Sequence, residues 1–180
     1  MPEQKHWPKT ANLFALSSAN KNLSEFPFEV LPLYETLRIG VVVAEWNIAV
    51  TGALLKGAVD FLKQSGVKEN NIIVSYVPGS FELTLGAKLL TDRNDIHGVI
   101  VLGCVIQGET RHFDFICDAV ANGITQVNLA SNKPVSFGVL TTNNQEQAMD
   151  RAGGKHGNKG MEAAATTLKM IALKNQLGSL

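Results

Sequence analysis

Val101-Leu-Gly-Cys-Val-Ile-Gln-Gly-Glu-Thr-Arg-His-Phe-Asp-Phe115 joins an apolar run to a glycine-containing turn and then to a histidine. The run before the turn is typical of a strand in a parallel sheet that is covered on both faces. The Gly108-Glu109-Thr110 turn would present backbone N–H groups just before a helix, and such groups bind anions. We therefore predict a buried strand that ends in an anion-binding loop beside His112.

Strand-like and helix-like segments alternate on both sides of this stretch. The predicted strands are 39–44, 72–77, 98–105 and 135–140. The predicted helices are about 51–65, 81–91, 112–131, 145–152 and 158–177, with no further strand after residue 140. This alternation predicts an α/β fold with a parallel sheet, right-handed crossovers and helices on both faces.

The length of 180 residues suits one domain with an N-terminal arm. Residues 1–37 contain four of the six prolines and show no sustained period. We expect this arm to be partly extended or disordered, although its apolar residues can dock on a neighbouring surface. Residues 38–180 are predicted to form the folded domain.

The charges argue against a nucleic-acid or membrane partner. Sixteen basic and sixteen acidic residues cancel and form no blocks. No apolar run approaches the roughly 18 residues of a membrane span, and the N-terminus resembles no targeting signal. We expect a cytoplasmic protein. The two cysteines, Cys104 and Cys117, lack the paired spacings of zinc or redox sites, which favours structural thiols over a catalytic one.

Ligands of parallel α/β sheets bind beyond the carboxyl ends of the strands, and the unusual residues collect at that rim. Trp46 would offer a flat face for stacking, with core packing as its alternative. Asn47 is interpreted as a helix cap, together with Thr51. The Pro78-Gly79-Ser80 turn and Glu82 can hold hydroxyl groups, or Glu82 can merely balance a helix dipole.

His112 and two cations complete the candidate residues. Histidine titrates near neutrality, at about pH 6.5, which suits proton transfer. Arg151 and Lys159 are the best cations for a phosphate, although each can equally be solvated. The glycine-rich segment between them follows a helix, so it is not a P-loop. The other histidines have no partner at metal-ligand spacing, and we predict no metal site.

Five motifs resemble the 6,7-dimethyl-8-ribityllumazine synthase family. They span about residues 38–177, in the order and spacing of the family: Trp46-Asn47, Val77-Pro-Gly-Ser-Phe-Glu-Leu83, Leu102-Gly-Cys-Val-Ile-Gln-Gly-Glu-Thr-Arg-His-Phe-Asp114, Pro134-Val-Ser-Phe-Gly-Val-Leu-Thr-Thr142, and Arg151-Ala-Gly153 with Asn158-Lys-Gly160. The resemblance implies a three-layer flavodoxin-like sandwich with four parallel strands in the order 2-1-3-4.

The resemblance also implies an activity. Members of the family condense 5-amino-6-(D-ribitylamino)uracil with 3,4-dihydroxy-2-butanone 4-phosphate, without a cofactor, in the penultimate step of riboflavin biosynthesis. It implies homopentamers with active sites between adjacent subunits. The short connection from Gly153 to Lys159 is compatible with an icosahedral shell, and riboflavin synthase is a further partner compatible with the family.

The resemblance assigns roles residue by residue. His112 would be the catalytic proton shuttle, Trp46 would stack on the pyrimidine, and Glu82 would hold the ribityl chain. The remaining substrate-binding residues would be Asn47, Ser80, Phe81, Val105, Ile106 and Phe137. The phosphate would be bound by Glu109, Thr110 and Arg151, with Gln107 and Lys159 as further candidates. Phe137, Arg151 and Lys159 would come from the adjacent subunit.

One position departs from the family, and two rival functions stay open. Gln107 stands where the family commonly has Arg or Lys, so we hypothesise weaker phosphate binding, for which Arg111 is the nearest compensating cation. The rivals are an archaeal-type riboflavin synthase, which would dismutate two lumazines, and a non-catalytic shell protein that binds flavin or lumazine.

Overall fold

The computed structural model describes residues 31–178. Most of the predicted arm, residues 1–30, lies outside this range. A short 3-10 helix at Pro32–Thr36 leads into the domain. Tyr34 and Leu37 are buried in the core, which therefore receives side chains from just before the first strand. The arm itself stays a prediction.

Four parallel strands form the central sheet. They are β1 (Ile39–Ala44), β2 (Ile72–Val77), β3 (Gly98–Ile106) and β4 (Val135–Thr142). Their order is β2-β1-β3-β4, and every neighbouring pair is parallel. Each predicted strand is present, and the order confirms the one that the family resemblance implied.

Helices cover both faces of the sheet, because strand residues alternate between the faces. Val41 and Val43 pack in one cluster with α1 (Ile48–Gln64) and α5 (Lys159–Gly178). Val42 and Ala44 pack in the other with α2 (Leu83–Thr91) and α3 (His112–Ser131). The result is the predicted three-layer sandwich. A short helix, α4 (Gln145–Asp150), follows β4.

The prediction that no strand follows β4 is wrong. A small antiparallel hairpin, β5 (Ala152–Gly154) with β6 (Gly157–Asn158), separates α4 from α5. Gly153 and Gly157 have φ angles of 122° and 74°, a region that favours glycine. Strands of three and two residues are too short to show a period in the sequence. The two-residue turn between flanking glycines was the available signal.

The side chain of Asn158 ties this hairpin to two helices. Its Nδ2 donates hydrogen bonds to the carbonyl oxygens of Ala53 in α1, at 3.0 Å, and Ala152, at 3.2 Å. Its Oδ1 accepts from the backbone N–H groups of Gly160, at 2.9 Å, and Met161, at 3.1 Å. One amide therefore fixes where α5 begins, and with it the position of Lys159.

Asn158→Ala is expected to lower the free energy of unfolding by about 2–4 kcal/mol, because four hydrogen bonds are lost in a half-buried place. Asn158→Asp should cost less, since its oxygens still accept from the first turn of α5. Urea unfolding at fixed protein concentration measures both. Asn122→Ala, which removes one exposed hydrogen bond to Asp118, is the matched control. Equal losses for Asn158→Ala and the control would contradict the role of Asn158.

Candidate active site

A cleft of about 560 Å³ opens at the carboxyl ends of β1, β2 and β3, and we call it the rim cleft. It brings together eight of the predicted site residues: Trp46, Asn47, Ser80, Phe81, Glu82, Val105, Ile106 and His112. Pro78, Gly79, Cys104 and Ile116 complete the lining. The rim that the sequence indicated is thus a concave surface.

Trp46 stands at the mouth of the rim cleft with 74% of its surface exposed. The backbone beneath it is held, because the N–H of Glu45 donates to Val77 O at 2.8 Å and that of Trp46 to Pro78 O at 3.1 Å. The alternative that Trp46 packs in the core is therefore wrong. A held backbone with a free indole face suits stacking on a flat ligand.

The loop after β2 forms a second wall of the rim cleft. Ser80 is buried against β3, where a side chain at Gly103 would come within 2.7 Å of Ser80 Oγ. Helix α2 begins at Leu83, two residues later than predicted, so Phe81 lies in a turn and is exposed. Phe81 is therefore outside the core. Glu82 makes no capping hydrogen bond, and its carboxylate remains exposed beside the loop.

Asn47 does not cap α1 with its side chain, so that interpretation is wrong. Its backbone is left-handed, with a φ of 60°, and its Nδ2 donates to the carbonyl oxygen of Cys104 at 3.0 Å. Thr51 lies inside α1 with a buried hydroxyl, and not at its start. Asn47 therefore joins the end of β1 to the end of β3, and this contact depends on the tertiary structure.

Asn47→Ala is expected to lower the free energy of unfolding by about 2 kcal/mol, because it removes the hydrogen bond to Cys104 and strains the left-handed backbone. Asn47→Gly removes the same hydrogen bond without the strain, so it should cost about 1 kcal/mol less than alanine. Chemical denaturation of the two variants measures the difference. Alanine as mild as glycine would show that the backbone conformation is not required.

The end of β3 extends beyond its neighbour β1. The pairing with β1 ends at Leu102, whereas the pairing with β4 continues to Ile106. The edge of β3 from Cys104 to Ile106 therefore has no strand partner on the β1 side, and the Cys104 carbonyl there is the acceptor for Asn47. Backbone groups at such an edge can bind an amide-like ring by hydrogen bonds.

His112 is the first residue of α3 and is exposed in the rim cleft. Its backbone N–H donates to Thr110 Oγ1 at 3.4 Å. The backbone N–H groups of Glu109 and Thr110 make no hydrogen bond within residues 31–178. These groups lie just before a long helix, although Glu109 and Thr110 are not part of the cleft lining. Anion binding by this turn stays a prediction.

Two side chains bear on the charge near this turn, Gln107 and Arg111, and both have partners close to them in the chain. Gln107 Nε2 donates to the carbonyl oxygen of Gly108 at 2.9 Å. Arg111 is 85% exposed, and its Nε lies 3.5 Å from the carboxylate of Asp114. The Arg111 charge is thus partly balanced by Asp114, and its role as a compensating cation stays a prediction.

A second cavity, of about 310 Å³, lies along the edge strand β4, and we call it the edge cavity. Phe137, Arg151 and Lys159 line it together with Glu162 at the start of α5. These three predicted site residues are thus absent from the lining of the rim cleft. The two cavities thus hold eleven of the candidate residues, and Gln107, Glu109 and Thr110 line neither cavity.

Arg151 and Lys159 differ in their partners. The Arg151 side chain donates from Nη1 to the carbonyl oxygen of Gln147 at 3.0 Å. Lys159 Nζ instead lies 2.8 Å from Glu162 Oε2, in an ion pair. Sequence reasoning missed Glu162, although its spacing of three residues from Lys159 on one helix was the available signal.

The two cysteines fit the structural interpretation. Burial raises the pKa of the Cys104 thiol to about 11. Burial, with the nearby Asp114 and Asp118 carboxylates, also raises the pKa of Cys117. Both thiols are therefore protonated near neutral pH and poorly nucleophilic.

Two further searches cover residues 31–178. They contain no group of three or more His, Cys, Asp or Glu side chains arranged to hold a metal ion. None of the helices in this range is both long and apolar enough to cross a membrane.

Comparison with known proteins identifies the family. The model of the 6,7-dimethyl-8-ribityllumazine synthase family matches residues 36–175. A 6,7-dimethyl-8-ribityllumazine synthase from Cytophaga hutchinsonii is 60% identical over 157 residues, which cover 87% of this chain and 98% of that protein. Those from Porphyromonas gingivalis and Flavobacterium johnsoniae are 52% and 47% identical, over 88% and 89% of this chain and 99% and 85% of theirs. The chain therefore belongs to the 6,7-dimethyl-8-ribityllumazine synthase family.

Proposed function

We propose that this chain condenses 5-amino-6-(D-ribitylamino)uracil with 3,4-dihydroxy-2-butanone 4-phosphate to 6,7-dimethyl-8-ribityllumazine, with release of phosphate and water. The observation that carries the proposal is the rim cleft, in which an exposed indole, a free carboxylate and a histidine meet at the carboxyl end of a parallel sheet. The family supports the same reaction.

The rim cleft suits the ribitylaminouracil. Trp46 stacks on the pyrimidine ring, and the uncovered edge of β3 at Val105 and Ile106 supplies backbone hydrogen bonds to it. The backbone of Ser80 and the carboxylate of Glu82 bind hydroxyl groups of the ribityl chain. Asn47 and Phe81 complete this part of the site.

The chemistry needs no catalytic lysine. The amine of the uracil attacks the ketone and forms an imine with loss of water, and proton transfers then drive elimination of phosphate and tautomerisation of the resulting enol to a carbonyl. The ribitylamino nitrogen closes the ring on that carbonyl with loss of a second water. His112 moves these protons at the mouth of the cleft. Positioning of the two substrates supplies much of the remaining rate.

The phosphate binds between two subunits. Arg151 supplies the cation, and the N–H groups of Glu109 and Thr110 supply further donors. Because Phe137 and Arg151 line the edge cavity and His112 lines the rim cleft, the edge cavity of one subunit completes the rim cleft of the next. Sites shared in this way need neighbouring subunits, and the homopentamer with five shared sites is the assembly that the family resemblance implies.

Four further expectations belong to the same proposal. Two concern assembly: closure of pentamers into an icosahedral shell, and association with riboflavin synthase. The other two are a cytoplasmic location and an N-terminal arm over residues 1–37. Light scattering on the purified full chain distinguishes a pentamer from a decamer and a shell.

Incubation of the purified chain with both substrates tests the function. Lumazine formation is measured by its absorbance and fluorescence, and the rate of the uncatalysed reaction is subtracted. Incubation with lumazine alone distinguishes the proposed function from that of a riboflavin synthase, because a riboflavin synthase would form riboflavin. Tight lumazine binding without product from the two substrates would indicate the non-catalytic shell instead.

Gln107→Arg is expected to lower KM for the butanone phosphate about two- to fivefold, since an exposed charge pair contributes up to roughly 1 kcal/mol. Steady-state kinetics at fixed ribitylaminouracil measures the change. Gln126→Arg adds the same charge to an exposed position of α3 and serves as the control. An unchanged KM for Gln107→Arg would contradict the hypothesis that Gln107 weakens phosphate binding.

A further inference from the structure

Glu162 is a buried carboxylate in the wall of the edge cavity. Only 6% of its surface is exposed. Its Oε2 accepts a hydrogen bond from Lys159 Nζ at 2.8 Å, whereas its Oε1 is buried without a hydrogen-bond partner among the described residues. A carboxylate in this state depends on Lys159 for compensation of its charge, so Lys159 is strongly held.

This ion pair gives the two cations of the edge cavity different properties. The Arg151 guanidinium has five N–H donors and no carboxylate partner within residues 31–178, so its charge is available to an incoming anion. The Lys159 charge is cancelled locally by Glu162. A phosphate dianion is therefore attracted to Arg151 much more than to the Lys159–Glu162 pair.

Lys159 nevertheless keeps donors for a ligand. An ammonium group has three N–H donors, and Glu162 accepts one of them. The Lys159 side chain is 38% exposed and lines the cavity, so the remaining donors can reach a bound molecule. Such donors suit an uncharged oxygen, such as a ring carbonyl, because that hydrogen bond does not depend on net charge in the cavity.

We propose that Glu162 is a positioning residue that fixes Lys159 as a donor to a carbonyl oxygen of the ribitylaminouracil and leaves the phosphate to Arg151. This inference rests on the proposed function. The competing explanation is structural: Glu162 lies in the first turn of α5, where a carboxylate stabilises the helix end. The changes in KM for the two substrates separate these explanations. A positioning role predicts a change for the ribitylaminouracil only, whereas a helix-end role predicts no such difference.

Glu162→Gln tests the inference with nearly the same side-chain volume. KM for the ribitylaminouracil should rise about tenfold, the value expected for one lost charge-assisted hydrogen bond. KM for the butanone phosphate should stay within about twofold or fall, since a negative charge is removed near Arg151. Glu162→Asp, which keeps the charge, should return KM for the ribitylaminouracil towards the wild-type value. Glu146→Gln, an exposed change of the same charge in α4, is the control.

Binding of inorganic phosphate, measured by calorimetry, is a second test that does not depend on turnover. The double variant Glu162→Gln with Lys159→Met removes both charges and avoids a lone buried carboxylate. It should bind phosphate as the wild type does, whereas Arg151→Ala should bind it at least about tenfold more weakly. In the kinetic assay the double variant should be no worse than Glu162→Gln alone.

Three outcomes would overturn the inference. They are an unchanged KM for the ribitylaminouracil in Glu162→Gln, equal changes in KM for both substrates, and phosphate binding lost as strongly in the double variant as in Arg151→Ala. Failure of the proposed function is a different result, because the wild type itself would then form no lumazine.

Discussion

His112→Ala is expected to lower kcat for lumazine formation about 100-fold, the lower end of the range for general acid–base catalysis. His112 lines the rim cleft together with Glu82, and it is the one histidine in the lining of that cleft. Several steps of the reaction move a proton, so losing the shuttle slows them together. The lower end applies because the substrate's own amine performs the first attack.

The kinetic pattern identifies the role of His112. KM for both substrates should change less than about threefold, since the change removes a transition-state interaction and leaves the binding groups in place. His156→Ala is the matched control, because His156 is an exposed residue of the β5–β6 turn outside both cavities. A His112→Ala enzyme as fast as wild type, after subtraction of the uncatalysed rate, would remove His112 from the mechanism.

Arg151→Ala is expected to lower kcat/KM for the butanone phosphate about 100-fold, mainly through KM. Charge-assisted hydrogen bonds to a phosphate contribute roughly 1.5–3 kcal/mol, and a bidentate guanidinium makes two of them. Arg151→Lys should recover part of the loss, because it restores the charge without the planar fork. KM for the ribitylaminouracil should change little in both variants. Equal losses for both substrates would indicate a collapsed site instead of a lost phosphate ligand.

Mixing the two inactive variants tests the shared site. His112→Ala keeps an intact edge cavity, and Arg151→Ala keeps an intact rim cleft. Subunits that are unfolded together and refolded in equal amounts should regain about one quarter of the wild-type activity, since random neighbours restore one site in four. Each variant refolded alone is the control. Activity no higher than the mean of the two variants would place the complete site within one subunit.

Much of the fold was predictable because its signals are local. Runs of β-branched residues at 39–44 and 72–77 predicted β1 and β2 with their observed bounds, and the helix that starts at His112 was also located. A parallel strand that is buried on both faces, such as β1, needs a continuous apolar run, and a single sequence displays such a run directly. The β5–β6 hairpin escaped because five strand residues carry no period.

The candidate site was predictable in its members and less so in its contacts. The rule for carboxyl ends of parallel strands led to Trp46, Glu82 and His112, which meet in the rim cleft. Asn47 was interpreted as a cap because that role is local, whereas its real partner, Cys104, is 57 residues away. Glu162 was missed for a related reason, since its spacing from Lys159 indicates an ion pair but does not show that the glutamate is buried.

The sequence by itself determined the α/β class, the positions of the four main strands, and the motifs that resemble the family. These depend on composition and spacing along the chain, which folding does not change. Only the tertiary structure decided that Asn47 bonds β3, that Glu162 neutralises Lys159, and that Arg151 lies in a different cavity from His112. The reason is physical: hydrogen bonds and ion pairs depend on distances in space, and residues far apart in the chain acquire those distances only when the sheet and its helices pack.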